Sequence, residues 1–234
     1  MTDSEIDKVL ADAARAPHEL PEPLLARIAE SIKPSLQPVH PLPSTFRLAS
    51  GLILICAVVA LAGAALTGFH GVEALAPVAR FLIFATLLVL AYLAAEALVD
   101  EMIPGSRRRL SAVILVAVAS TALLVVFALL FRDYRVDHFV HAGVACLFFG
   151  MLFAVPTGLL SWLLLRRGVA TQRVSAWIAG GALAGLAGVT LLELHCANFQ
   201  ALHVLLWHTA VVPVSAAGGA LVGWLLRRYS LAQA

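Results

Sequence analysis

Thiol, imidazole and carboxylate groups converge on one stretch of this sequence. Glu193-Leu194-His195-Cys196 is followed closely by His203 and His208, and His138, His141 and Cys146 lie upstream. Imidazole and thiolate are the side chains that bind soft or borderline transition metals. A metal-ligand set drawn from Glu193, His195, His203, His208, His138 and His141 is therefore one chemistry open to the chain, with the last two sharing a helix face at i and i+3. Thiol redox chemistry at Cys146 and Cys196 is the other, because two cysteines close a disulfide where their Cα atoms stand within about 4.4–6.8 Å. No CxxC, HExxH or cofactor-binding fingerprint accompanies these residues, so clustering alone motivates both readings. Histidines so placed also serve as amphipathic interfacial groups or as hydrogen bonds between helices, and that alternative stands beside the first two. Cys56, inside an apolar run, reads as a small packing residue.

Composition sets the elements that must carry these groups. Of 234 residues, 61% are hydrophobic and 13% charged, and the mean hydropathy is +0.93. Soluble domains sit nearer roughly half apolar and a quarter charged. Runs long enough to cross a bilayer, about 17–25 residues, fall at 48–69, 81–99, 110–131, 139–165, 174–192 and 204–226. Their continuous apolarity lacks the alternation of a membrane barrel, which leaves helices whose backbone groups are satisfied internally. The sequence thus predicts an all-α integral membrane protein: a bundle of about six transmembrane helices over 47–234, preceded by a short helical tail over 1–46. The formal charge of +2, without a basic stripe interleaved with aromatics, argues against nucleic acid as a direct partner.

Basic residues assign the sides. The tail carries Lys8, Arg15, Arg27, Lys33 and Arg47; Arg107, Arg108 and Arg109 follow the second run; Arg166, Arg167 and Arg173 follow the fourth; Arg227 and Arg228 follow the sixth. All of these share one side of the membrane, and Arg80, Arg132 and Arg135 take the other. The positive-inside rule then places both termini in the cytoplasm. The acidic, polar start MTDSEIDK also lacks the basic n-region and apolar stretch of a cleaved signal peptide. On this topology His70, His138, His141, His195, His203 and His208 face outward together with Cys196, while His18 and His40 stay in the tail. Cys146 lies about two turns inside the fourth helix, on the order of 10 Å below its start, and that difference in depth counts against a disulfide with Cys196. An oxidising periplasm would permit one where the cytosol would not.

Packing and partner signals complete the pattern. Gly181 with Gly185, and Gly219 with Gly223, make small-xxx-small steps that let helix backbones approach. Pro156 and Pro213 are expected to bend the fourth and sixth helices. In the tail, Ile6, Val9, Leu10 and Ala13 share one face of a helix capped by Ser4, and a second helix starts near Pro23. Leu24, Leu25, Ile28 and Ile32 form its apolar stripe, and Pro34, Pro38, Pro41 and Pro43 make an extended spacer to the membrane. Helices this short are marginal alone and need a surface for their stripes. Glu19, Glu22 and Glu30 outnumber Arg27 and Lys33, unlike the basic polar face of a membrane-surface helix. A protein partner is favoured over lipid or self-docking.

Leu194-His195-Cys196-Ala197-Asn198 and Leu206-Trp207-His208 resemble elements of the NrsF-like family, negative regulators of sigma F. Cys146, Gly150 and Pro156, as CxxxG followed by a proline, and the Ile103-Pro104-Gly105-Ser106 turn with its arginines are similar too. The resemblance covers the membrane part from the first helix to the end; the tail, with its LPEPLLARIAES stripe and long proline-rich stalk, departs from it. It implies a six-helix anti-sigma factor of the bacterial inner membrane. The cytoplasmic tail would hold a sigma factor away from RNA polymerase, and Cys146 and Cys196 would receive a periplasmic signal. No enzyme activity is expected and no cofactor is certain, though a transition-metal ion would suit as the signal. A small metal-ion transporter or channel would also suit the histidines, but the helices hold few internal charges and no inverted repeat. A thiol-linked membrane oxidoreductase lacks a supporting motif. An assembly subunit without catalysis, or a homo-oligomer, is allowed by the glycine steps.

Overall fold

The computed structural model describes Glu5, Lys8 and residues 22–33, 43–101, 110–165 and 174–232. Six helices are long and apolar enough to cross a membrane: Thr45–Thr67, Pro77–Asp100, Ala112–Leu130, Phe139–Leu164, Val174–His195 and Ala201–Tyr229. In chain order they are the first to sixth helices. The chain is an all-α, multi-pass membrane protein, with no strand among the described residues beyond an isolated bridge between Asp133 and Gln200.

Local chemistry sets the helix ends. Ser44 accepts a hydrogen bond from the Arg47 backbone N–H at 3.4 Å, and Ser111 accepts one from Ile114 at 3.2 Å. Both side chains satisfy donors that a helix start leaves orphaned. Pro77 opens the second helix, where its missing N–H costs nothing. These polar turns extend the apolar runs, so the first helix begins at Thr45 and the second at Pro77, each a turn earlier than hydropathy alone predicts. The first helix ends at Gly68, whose φ of 102° suits a residue without a Cβ. Inside the spans, the hydroxyls of Thr67, Thr86, Thr157 and Thr190 donate to carbonyls four residues back at 2.7–3.2 Å. These four hydroxyls are satisfied without water in this way.

The fifth helix is the hub. It packs against the other five, and 61% of its apolar window is buried, against at most 50% in any other span. Small residues make this possible. A Cβ on Gly181 would collide with the Ser215 carbonyl of the sixth helix, and one on Gly185 would stand 2.8 Å from the Val212 Cα. From the facing side, a Cβ on Gly219 would collide with the Trp177 carbonyl, and one on Gly223 would stand 2.6 Å from the Trp177 ring. On another face, Gly188 meets the Gly150 carbonyl of the fourth helix. The small-xxx-small steps read from the sequence are the lines along which backbones touch. Pro156 and Pro213 sit inside helices that continue on both sides of them.

The connections 68–76, 131–138 and 196–200 meet at the end of the bundle away from Thr45 and Tyr229. There the Ala201 N–H donates to the Asp133 carbonyl at 2.6 Å, and Phe131 stacks on Phe199 with centroids 5.6 Å apart. The short helix His70–Ala74 lies on the end of the fifth helix so closely that a Cβ on Gly71 would stand 2.7 Å from the Cys196 carbonyl. This is the loop end of the bundle.

The tail, Met1–Leu42, forms a compact unit distinct from Pro43–Ala234. Within it Glu22–Ile32 is helical, and Leu25, Ile28 and Ile32 are exposed. Ile6, Leu10, the Leu24 side chain, most of the proline-rich spacer, and the connections holding Arg107 to Arg109 and Arg166 to Arg173 lie outside the described residues.

The glycine seam separates two adjacent substitutions. Gly219→Ala is expected to destabilise the bundle by about 1–3 kcal/mol through overpacking. Gly218→Ala, whose Cβ would meet nothing within 4 Å, should be neutral or slightly stabilising. Thermal denaturation in detergent, read by tryptophan fluorescence, distinguishes them; equal melting temperatures would remove the case for a backbone seam.

Candidate functional site

At the loop end the structure joins side chains from three helices and a connection. Cys146, on the fourth helix, places its Sγ 3.6 Å from the Sγ of Cys196, just past the fifth. Cys196 Sγ lies 3.7 Å from Nε2 of His203. His208 completes the group: one ligand atom from each of Cys146, Cys196, His203 and His208 lies within 4.8 Å of the others. Behind them, His208 Nδ1 and Glu193 Oε1 are 2.6 Å apart, and both side chains are 1% exposed. The remaining His208 nitrogen, Nε2, is buried without a hydrogen-bond partner.

The expected difference in depth between the cysteines is not observed. The fourth helix has 27 residues, a length of about 40 Å, which exceeds a hydrocarbon core of about 30 Å. Seven residues in, Cys146 is level with the end of the fifth helix, so the fourth starts about 10 Å beyond that level. The Cys196 N–H bonds the Leu192 carbonyl at 2.7 Å, so the fifth helix carries Cys196 as a continuation of its last turn.

The two histidines meet because the sixth helix is irregular. In an α-helix, residues five apart stand about 140° away from each other. Val204–His208 is instead a π-turn, whose i→i+5 bonding brings residues five apart onto one face. His203 and His208 are thereby stacked edge to face, with ring centroids 5.2 Å apart. Trp207, within the π-turn, lies on Gly143 of the fourth helix so closely that any Cβ there would collide with its indole. It also contacts Phe139 at 5.7 Å.

The other candidates fall elsewhere. His195 points its Nδ1 to the Gly68 carbonyl at 3.2 Å and packs between His70 and Phe149. His138 precedes the fourth helix with φ 53°, so it does not share a helix face with His141 as its spacing suggests. Both are exposed and stand outside the cluster. Glu193 belongs to the site through His208, one shell out from the sulfurs. Gly71, Gly143 and Trp207 shape the site without carrying its chemistry, and spacing alone does not reveal them.

The arrangement favours one thiolate. The hydrogen bond from Cys146 holds Cys196 well below the ordinary thiol range, burial opposes this, and His203 and His208 reinforce it. Two sulfurs and two imidazole nitrogens in mutual reach are also the donor set of a tetrahedral soft-metal site. The orphaned Nε2 of His208 fits such a role: Glu193 takes the other ring nitrogen, as outer-shell carboxylates do for metal-bound histidine. Nearby, Asp133 is held below the usual carboxylate range by its hydrogen bonds from Arg135, which keeps that connection folded on itself.

Comparison with known families gives the same direction. The model of the family described as negative regulator of sigma F, NrsF, matches residues 34–229. No curated protein and no solved structure matches the chain. The match spans most of the sequence, and the chain belongs to this family. With membership comes the coarse role that the family's description states, negative regulation of a sigma factor.

Cys196 should alkylate with maleimide at pH 6 far faster than an ordinary thiol, because its thiolate persists below the usual range. Cys146→Ala removes the largest cause of that shift, so the rate at pH 6 should fall by roughly tenfold or more. Peptide mapping of the labelled protein across pH 5 to 9 reads the midpoint. An unchanged midpoint in the variant would show that the sulfur pair does not share a proton.

Proposed function

We propose that this member of the family holds a sigma factor at the bacterial inner membrane through its cytoplasmic N-terminal tail, and releases it when a periplasmic metal or redox signal reaches Cys146 and Cys196. The observation that carries the reading is the convergence of both sulfurs with two imidazoles at the loop end, inside a chain that belongs to a sigma-regulating family. Counted along the sequence, thirteen of the sixteen Lys and Arg residues fall in the tail, between the second and third or fourth and fifth spans, or at the end of the sixth, which supports a cytoplasmic tail and a periplasmic cluster. The exposed Leu25, Ile28 and Ile32 on an acidic helix support a protein partner, with Leu24, Ile6 and Leu10 extending the same contact.

Either signal acts on the same atoms. A disulfide or peroxide oxidant would take two electrons from the sulfur pair and be reduced to two thiols or to water, the one proton that Cys146 and Cys196 share passing to it or to solvent as the Sγ atoms close to about 2.05 Å. A thiophilic divalent cation would be held by Cys146, Cys196, His203 and His208, with Glu193 orienting His208, and would supply a cross-link between the fourth and sixth helices. A ligand shifts a two-state equilibrium only by its differential affinity for the states. The signal must therefore favour the arrangement in which the tail lets go. Catalysis plays no part in this scheme.

Leu25→Asp with Ile28→Asp should weaken co-purification of the sigma factor at least about thirtyfold, the loss expected when contacts worth about 2 kcal/mol or more are removed. Undiminished capture would place the contact elsewhere. Cys146→Ser with Cys196→Ser should still capture the sigma factor but fail to release it on exposure to cadmium or diamide, read with a reporter gene under sigma control. Normal induction in that variant would exclude the cysteines as the receiver.

A further inference from the structure

The opposite end of the bundle holds a cavity that the sigma-regulating role does not use. It is a half-open groove of about 540 Å³ between the fourth, fifth and sixth helices, with Leu98 of the second at one wall. That volume lies within the roughly 300–1,000 Å³ of ligand sites. Its lining is almost wholly apolar, running along the fourth helix from Met151 to Trp162. The eleven steps between these two residues span about 16 Å of helix, close to the half-thickness of a hydrocarbon core of about 30 Å.

Five glycines line it, and Gly181 and Gly219 belong to the seam while the other three do not. A Cβ on Gly158 or Gly180 would find its nearest neighbour 3.9 Å away, and one on Gly218 would meet nothing within 4 Å. Helix packing does not require these three residues to be glycine, yet all of them line the cavity, where side chains would fill it. One polar group is also left over. Ser161 is 3% exposed, lines the cavity, and its Oγ has no hydrogen-bond partner. The neighbouring Ser215 hydroxyl, by contrast, reaches the Met151 sulfur at 3.1 Å. At the mouth, Trp162 and Trp177 sit within a turn of their helix ends, at the depth where indoles meet lipid headgroups. Leu226, the last lining residue of the sixth helix, is followed by Arg227 and Arg228.

We propose that this cavity is a binding site for one acyl chain of an anionic phospholipid from the leaflet nearest the termini. The chain lies against Gly158, Gly180 and Gly218, its ester group takes the Ser161 hydroxyl, and its headgroup meets the arginines beyond Leu226. Basic groups at the end of a groove between membrane helices are the usual means of selecting anionic headgroups. The occupant bridges the fourth and sixth helices, the two that carry Cys146 and His208 at their other ends.

The test uses the full chain in nanodiscs of mixed phosphatidylglycerol and phosphatidylcholine, with either lipid carrying a photoactivatable diazirine in its acyl chain. The expected result is dominant labelling by the phosphatidylglycerol probe at 158–162, 176–181 and 215–222. Gly218→Leu, which fills the cavity without touching the seam, should reduce that labelling at least about tenfold with no loss of thermal stability. Ser161→Ala should reduce it more modestly. Labelling spread evenly over every lipid-facing helix, equal labelling by the two probes, or full labelling in Gly218→Leu would overturn the proposal. So would a cross-link between two copies through this groove.

Discussion

Everything in the membrane domain depends on how closely the fifth helix lets its neighbours approach. Lipid tails are as apolar as leucine, so helices in a bilayer gain little by hiding hydrophobic surface from one another. What remains is close contact between backbones, and that contact needs glycine. The seam from Gly181 and Gly219 through Gly185, with Gly188 against Gly150, sets the fifth helix directly on the fourth and sixth. Helices held at that distance have little freedom to slide or rotate along the seam, because backbones in contact there leave no slack. Their ends at the loop connections are fixed as a consequence. Cys146, Cys196 and His208 meet because three helices are registered along the glycine contacts beneath them.

Inside that frame the Glu193–His208 pair is costly. Two ionisable side chains at 1% exposure give up their hydration, and their mutual attraction only partly offsets the loss. A leucine pair of similar volume would pack with less penalty. Such groups inside a membrane mark function, and here the geometry says which. Glu193 takes one nitrogen of His208 and leaves the other toward the sulfurs. The π-turn has the same character. It forgoes regular i→i+4 bonding to bring His203 and His208 onto one face, and the Trp207 indole lying on Gly143 holds it in place.

The membrane architecture was legible in the sequence because its signals are local and additive. Six apolar runs give six helices, and paired glycines give the seam. Partnership at the loop end was legible only in part. Cys146 and Cys196 could be nominated by residue type, yet counting residues along each helix put them at different depths. That estimate fails because the fourth helix starts about two turns beyond the end of the fifth, which Cys196 continues. His138 and His141 looked as good as His203 and His208 by spacing. They differ because His138 turns the chain before the helix starts, whereas a π-turn rotates His203 onto the face of His208. A π-turn has no clear sequence signature, so periodicity arguments built on 3.6 residues per turn assign such a pair to different faces.

The same lack of slack bears on how a change at the sulfurs could travel in the proposed scheme. Closing the Sγ–Sγ gap from 3.6 Å to about 2.05 Å brings the sulfurs about 1.5 Å closer, and whatever rotation about the cysteine side-chain bonds does not take up falls on the fourth helix and the end of the fifth. The connection after Cys196 cannot absorb it freely, since Gly71 presses on the Cys196 carbonyl and the Ala201 N–H is tied to Asp133. The seam cannot absorb it gradually, since backbones already in contact can only stay or step. Packed elements of this kind convert sub-ångström to ångström shifts into discrete rearrangements, because the packing is bistable where a looser core would deform continuously. Of the three helices that bring ligand residues to the cluster, the sixth holds the irregular turn. Its π-turn is the segment with an alternative hydrogen-bonding pattern already at hand, and return to regular α geometry would move His203 off the face of His208. The segment that assembles the site is thus also the one best able to report a change in it.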